Sequence, residues 1–375
     1  MTTKSRRPVA LIATACRWVS TVRLAKALSS VGFDVGFLGP ADHPIDAASI
    51  DCSRAVLSGL WPSRSLKTAI EAVKPDIVIP ADEMILLLLH QLHRSSPGLR
   101  DLIERSLGAP ENYAKTLSRV ALAEIAREEG VAIPSTLRLT SERDPAQMGS
   151  RLELPAYVKV DASWGGAGVI RVDTVEDCAR AYRRLRSFLG IPRTVWRLAA
   201  HGDATRLPLR RARLDISVQS GVDGAPANCA VTAWRGEMLA CIEAVALQTR
   251  GPTGSSTVIR ILRDQPMHET CRRLVKRLGL SGLIGFDFII EKATGRAVLI
   301  ELNPRATQTC HLRLGKGADP PEALRAAVTG EPEQDAVPMC ESDIIELFPQ
   351  ERLGNTDTAQ ATDRVRPIEL PATNR

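Results

Sequence analysis

The sequence predicts an α/β protein: an N-terminal unit built on a parallel sheet, followed by a larger α+β region of antiparallel hairpins. Three observations predict it. "PVALIATA", "FDVGFLG" and "DIVIPAD" are short, nearly continuous apolar runs, as in strands buried on both faces of a parallel sheet, with helical stretches around 20–31, 65–73 and 83–93 between and after them. "GLIGFDFIIEKATGRAVLIELN" reads as two strands joined by a short turn containing Gly295. "LPAYVKVDASWGGAGVIRV", residues 154–172, alternates towards Lys159, breaks into Gly165, Gly166 and Gly168, and resumes with Val169, Ile170 and Val172: strand, glycine loop, strand.

The opening "MTTKSRRPVALIATACRW" imitates a secretion signal, basic and then apolar. Its apolar run is short, and Val22, Leu24, Ala25, Ala27 and Leu28 continue as an amphipathic helix, so the run reads as the first strand of an α/β unit. No stretch approaches the roughly 18–20 apolar residues that span a bilayer, and no membrane partner is expected. Eight cysteines are scattered without a CxxC pair, as expected of reduced thiols and a cytoplasmic location. Cys310 and His311 are adjacent, but neighbours on a strand point apart, which argues against a nucleophile there. Asp82 and Glu83 end the third apolar run. Ligands bind beyond the carboxyl ends of parallel strands, so the pair is placed to face substrate; alternatively Asp82 caps the following helix.

"VLIELNPRATQTCH", residues 298–311, sets Glu301, Asn303 and Arg305 at alternate positions, hence on one face of a strand. If Ala293, Thr294 and Gly295 form a three-residue loop, Asp287 lies directly opposite Glu301. Facing carboxylates repel, so this register makes sense with a cation between them, and the hard-oxygen set Asp287, Glu301 and Asn303 suits magnesium, with manganese as an alternative. A two-residue turn at Thr294-Gly295 opposes Asp287 to Leu302 and splits the pair, so the inference depends on the register. The glycine loop after Lys159 suits an anion, because glycine amides approach closely and the lysine adds charge. The GxGxxG and Walker patterns are both absent there.

"YVKVDASWGGAGVIRV" and "GFDFIIEKATGRAVLIELNPRATQT" together resemble the ATP-grasp superfamily, and most closely the carbamoyl-phosphate synthetase large subunit and related carboxylate–amine ligases. "NYAKTLSRVALAEIAREEGVAIPSTLRL" (112–139) is similar to the helix that opens the family's ATP domain, and "DISVQSGVDGAPANCAV" (215–231) to its adenine-carrying strand and hinge. The resemblance covers roughly residues 70–330, and the ExNPR segment is its most specific element. It implies a pre-ATP-grasp domain over 1–110 and a two-subdomain ATP-grasp domain over 111–330 with a mobile lid at about 134–215; over 331–375, "DIIELFPQ" reads as one further strand and the polar remainder as a disordered tail. It further implies that Lys115, Lys159, Gly165, Gly166 and Gly168 hold ATP phosphates, Val218 and Gln219 lie at the adenine hinge, Asp287, Glu301 and Asn303 hold magnesium, and Arg305 contacts the transferring phosphoryl group. Gln219 stands where the family often has glutamate, and Pro226 where an acidic ribose contact is frequent.

The implied activity is an ATP-dependent ligase that activates a small carboxylate as an acyl phosphate for attack by an amine or other nucleophile; a homodimer is compatible with it. Its rivals are a nucleotide-sensing relic and a nucleic-acid binder. Net charge is +6, and residues 180–213 hold ten arginines against one acid, Asp203. Clustered arginines suit phosphates, but aromatic interleaving is thin and no nucleic-acid motif appears, so a solvated helix and loop on the lid is the favoured reading.

Overall fold

The apolar runs of the N-terminal half pair as a parallel sheet because each buries both faces. The computed structural model describes residues 6–145, 152–161, 168–188, 214–251, 254–334, 343–347 and 366–367. Strands β1 (Val9–Ala13), β2 (Asp34–Gly39), β3 (Cys52–Val56) and β4 (Ile77–Pro80) pair in parallel in the order β3-β2-β1-β4. Helices α1 (Val19–Ser30), α2 (Pro62–Val73), α3 (Glu83–Ser95) and α4 (Arg100–Leu107) cover it. In β1, Ala10 and Ile12 face α1, whereas Leu11 and Ala13 face α2 and α3. The edge strand β3 has no counterpart among the three apolar runs. It is only partly buried, and its Arg54 is held by Asp46 and by the carbonyls of Gly39 and Pro40.

The short α5 (Tyr113–Thr116) and α6 (Arg119–Glu128) lead into a four-stranded antiparallel sheet, ordered β5-β8-β6-β7, of β5 (Thr136–Leu139), β6 (Ala156–Val160), β7 (Val169–Val172) and β8 (Ile216–Ser220). Helix α7 (Val175–Phe188) packs on it. A larger antiparallel sheet follows: β9 (Gly224–Trp234), β10 (Glu237–Thr249), β11 (Ser256–Leu262), β12 (Gly282–Glu291) and β13 (Ala297–Asn303), ordered β13-β12-β9-β10-β11. The tail adds β14 (Ile344–Glu346) beside β11, and β15 (Arg366–Pro367) pairs with β10.

Alternation sorts this large sheet into two faces. Cys229, Val231, Cys241 and Val245 look towards α6 and α8 (Gln265–Leu278). Ala230, Ile242 and Ala244 look towards α9 (Pro320–Thr329), in a core shared with β1, β2 and α1. The N-terminal unit and the large sheet are therefore packed through one apolar cluster, which fixes the carboxyl ends of β1 and β4 beside the β12–β13 hairpin. Among the described residues no helix is long and apolar enough to cross a membrane.

Candidate nucleotide and metal site

The hairpin of β12 and β13 brings the two carboxylates together, by a route different from the one expected. The loop has four residues, Lys292 to Gly295: the Glu291 amide donates to the Arg296 carbonyl at 2.9 Å and the Gly295 amide to the Glu291 carbonyl at 2.8 Å. Gly295 has φ +70°, a conformation glycine adopts without steric cost. This loop pairs Phe288 with Leu299, and continued unchanged it would set Asp287 against Ile300. A β-bulge at Ile300 absorbs one residue, so Asp287 faces Glu301 and Gly285 faces Asn303.

Asn303 Nδ2 donates to Asp287 Oδ2 at 2.8 Å. The strand then stops: the Arg305 amide donates to the Asn303 carbonyl at 2.7 Å, so Arg305 is not a further step of the alternation. Its guanidinium nevertheless returns to the cluster, donating to Asn303 Oδ1 at 3.1 Å and to Glu83 Oε1 at 2.7 Å, with the Trp18 ring centre 5.6 Å away. Burial, and then the charge of Glu301, push the Asp287 carboxyl up to about 6.

Lys159 on β6 is buried and donates to Gln219 Oε1 at 2.6 Å. Burial lowers its ammonium to about 8, against the pull of Glu301. Gln219 Nε2 donates in turn to Thr136 Oγ1 at 3.0 Å and to the Ile300 carbonyl at 3.4 Å, so the bulge is held from the smaller sheet. Gln219 thus serves the lysine and the bulge. Val218 is wholly buried in the core of that sheet, with partners on both β5 and β6. Of the glycines, Gly168 accepts from the Val160 amide at 3.0 Å, while Gly165 and Gly166 lie outside the described residues, as does most of the 180–213 segment.

Lys115 stands on the short α5. It is exposed and donates to Asn112 Oδ1 at 2.9 Å. The cation that reaches the acids is Arg119, which was not among the expected site residues. Ser118 caps α6, its hydroxyl accepting from the Ala121 amide at 3.3 Å, and so breaks the expected single helix and starts a new one at Arg119. Arg119 pairs with Glu301, with Asp161 at 3.2 Å, and donates to the Val160 carbonyl at 2.7 Å. A cation in a helix's first position opposes the macrodipole unless an anion faces it, and α6 has no acid in its first turn; that was the signal in the sequence.

Asp82 caps α3, accepting from the Ile85 amide at 3.0 Å, and also holds Thr14 Oγ1 at 2.9 Å. Glu83, by contrast, faces the cleft through Arg305. A small cleft, open to solvent, is lined by Glu83, Thr116, Arg119, Glu301, Leu302 and Pro304. Arg119 Nε and Glu83 Oε2 are buried with no hydrogen-bond partner, as is Ser217 Oγ on β8. Buried polar atoms are rarely left so, and Arg119 and Glu83 both line the cleft, where a polar ligand would satisfy them.

Residues 119–309 match the ATP-grasp domain family model. Comparison with curated proteins finds no match. Among solved structures, the chain is similar to biotin carboxylase from Campylobacter jejuni (15% identity, 88% of this chain and 72% of that one, TM-score 0.62). It is also similar to N5-carboxyaminoimidazole synthetase from Staphylococcus aureus (12%, 91% and 80%, 0.60) and to L-amino acid ligase from Bacillus licheniformis (15%, 89% and 79%, 0.60). At these identities the likeness is one of fold. With a family model spanning just over half of its length, and a parallel-sheet unit followed by antiparallel sheets around one acidic cleft, the chain belongs to the ATP-grasp domain family.

Proposed function

We propose that the protein is an ATP- and magnesium-dependent ligase that activates a small carboxylate as an acyl phosphate, which an amine or other nucleophile then captures. The observation that carries this reading is the bulge-set opposition of Asp287 and Glu301, completed by Asn303 and by the Arg305 guanidinium. Two carboxylates and an amide oxygen form a hard donor set, and the raised Asp287 carboxyl marks a site whose ionised form calls for a cation. Asp287, Glu301 and Asn303 would hold magnesium, which when bound offsets phosphate charge and aligns the terminal phosphoryl group. Lys159 and Arg119 would bind the phosphates, Arg119 taking the role first given to Lys115, and Gly168 would close the phosphate loop.

Arg305 would meet the phosphoryl group as charge develops on it, held in place by Glu83 and Asn303. The acceptor carboxylate would enter from the ends of β1 and β4, where Thr14, Trp18 and Glu83 gather. Residues 134–215 are proposed to close over the nucleotide. Three solved relatives are named for three different reactions, so the fold leaves the acceptor open.

The test is direct. Purified protein given ATP, magnesium and a pool of amino acids and small carboxylates should release ADP and phosphate, with a new adduct in the mass spectrum. No release beyond a no-enzyme control across that pool would sink the ligase reading.

A further inference from the structure

Away from this cleft, three thiols meet beneath α8. Cys229 on β9, Cys241 on β10 and Cys271 on α8 are all buried, and their sulfurs lie within 4.8 Å of one another. Spacings of twelve and thirty residues hide the group in the sequence. The ladder explains it: Cys229 pairs with Glu243 and Val231 with Cys241, so both cysteines and Glu243 share the face that α8 covers. One turn before Cys271 on α8 stands His268, whose Nδ1 lies 2.9 Å from Glu243 Oε1. Donor atoms of Cys241, Glu243 and His268 also fall within 4.8 Å of one another, so Cys241 joins the two groups.

A single buried cysteine is an ordinary small hydrophobe. Three of them beside an imidazole and a carboxylate, among Val231, Met267 and Leu274, are a polar cluster inside an apolar core. A disulfide would use two sulfurs and leave the third without a role.

A tetrahedral ion uses all four, and at zinc–sulfur lengths its ligating sulfurs stand about 3.8 Å apart, within a side-chain adjustment of the spread seen here. We infer that Cys229, Cys241, Cys271 and His268 form a structural site for a thiophilic divalent ion of the zinc class, with Glu243 fixing the imidazole. Binding would release the thiol protons to solvent as the sulfurs become thiolates. The site is separate from the magnesium donors, which are all oxygens.

Cobalt(II) alone is the probe, added to the full-length, reduced, chelator-treated protein. One equivalent should give thiolate charge-transfer bands and the intense visible bands of a tetrahedral ion, and zinc should erase them. His268→Gln, at a half-exposed position where folding is not at stake, should weaken cobalt binding roughly tenfold or more. Cys241→Ser should lose the thiolate bands; if it does not fold, a zinc-induced rise in the melting temperature of the native protein, reduced in His268→Gln, gives the same answer. A six-coordinate cobalt spectrum, a signal unchanged in His268→Gln, or a Cys229–Cys241 disulfide in protein that takes up no cobalt would each overturn the site.

Discussion

Replacing Asp287 by Asn should make the metal-free protein more stable while depriving it of magnesium. Asparagine is nearly isosteric, and its side-chain oxygen can still accept from Asn303 Nδ2 as the carboxylate does. What disappears is a half-buried charge facing Glu301. The carboxyl sits at about 6 against an ordinary 3.8, and roughly two units at 1.36 kcal/mol each give an upper bound of about 3 kcal/mol. Partial exposure reduces this to about 1–2 kcal/mol, or a rise of roughly 2–8 °C in the melting of a domain of this size. The sign follows from the direction of the shift. An acid whose folded value is raised destabilises the fold above that value and ceases to do so below its unfolded value, so the gain of Asp287→Asn is full near pH 8 and about half as large near pH 5. Scanning fluorimetry in chelator at both pH values reads it. Excess magnesium should close the gap from the other side by stabilising the native protein alone. A variant that melts earlier than the native protein near pH 8, or gains equally at both pH values, refutes the repulsion and with it the case for a cation site.

Glu301→Gln should move the other way: it should also abolish magnesium-dependent turnover, but cost stability because Arg119 keeps only Asp161 of its two acids, and a stabilised variant in urea titration would contradict the ion pair. Arg119→Ala should cost about 3–5 kcal/mol by stranding Asp161 and Glu301, whereas Lys115→Ala should stay within about 0.5 kcal/mol; equal denaturation midpoints would contradict the two ion pairs. Because Lys159 titrates at about 8, calorimetric ATP affinity should fall as pH rises from about 7 to about 9, and Lys159→Arg, which keeps its charge, should flatten the profile; a flat native profile would exclude Lys159 from the phosphates.

The opposed carboxylates were legible because strand alternation leaves Glu301 and Asn303 on one face whatever the rest of the chain does. The bulge was not, because Ile300 is held by Gln219, eighty-one residues earlier and on another sheet. Local turn chemistry pointed to a shorter loop and reached the same pairing by compensating differences. Arg119 was not legible because the helix read as one element from Lys115 onward, and only the Ser118 cap sets which turn faces the acids. The edge strand β3 carries too little apolar surface to stand out, and the cysteine group exists only through the register of β9 with β10.

Arg305 is oriented from two sides, by Asn303 in its own hairpin and by Glu83 at the start of α3, and the next residue is tied to the N-terminal unit where the Ala306 amide donates to the Pro80 carbonyl at 3.0 Å. Among the described residues, Lys159, Arg119 and the acidic pair take their hydrogen bonds and ion pairs from beyond the first hundred residues. The molecule consequently has an order of failure built into it. On the proposed function, a substitution that parts Ala306 from Pro80 or Arg305 from Glu83 releases the arginine while the phosphate and metal groups keep their own partners, so turnover should fall before nucleotide binding does.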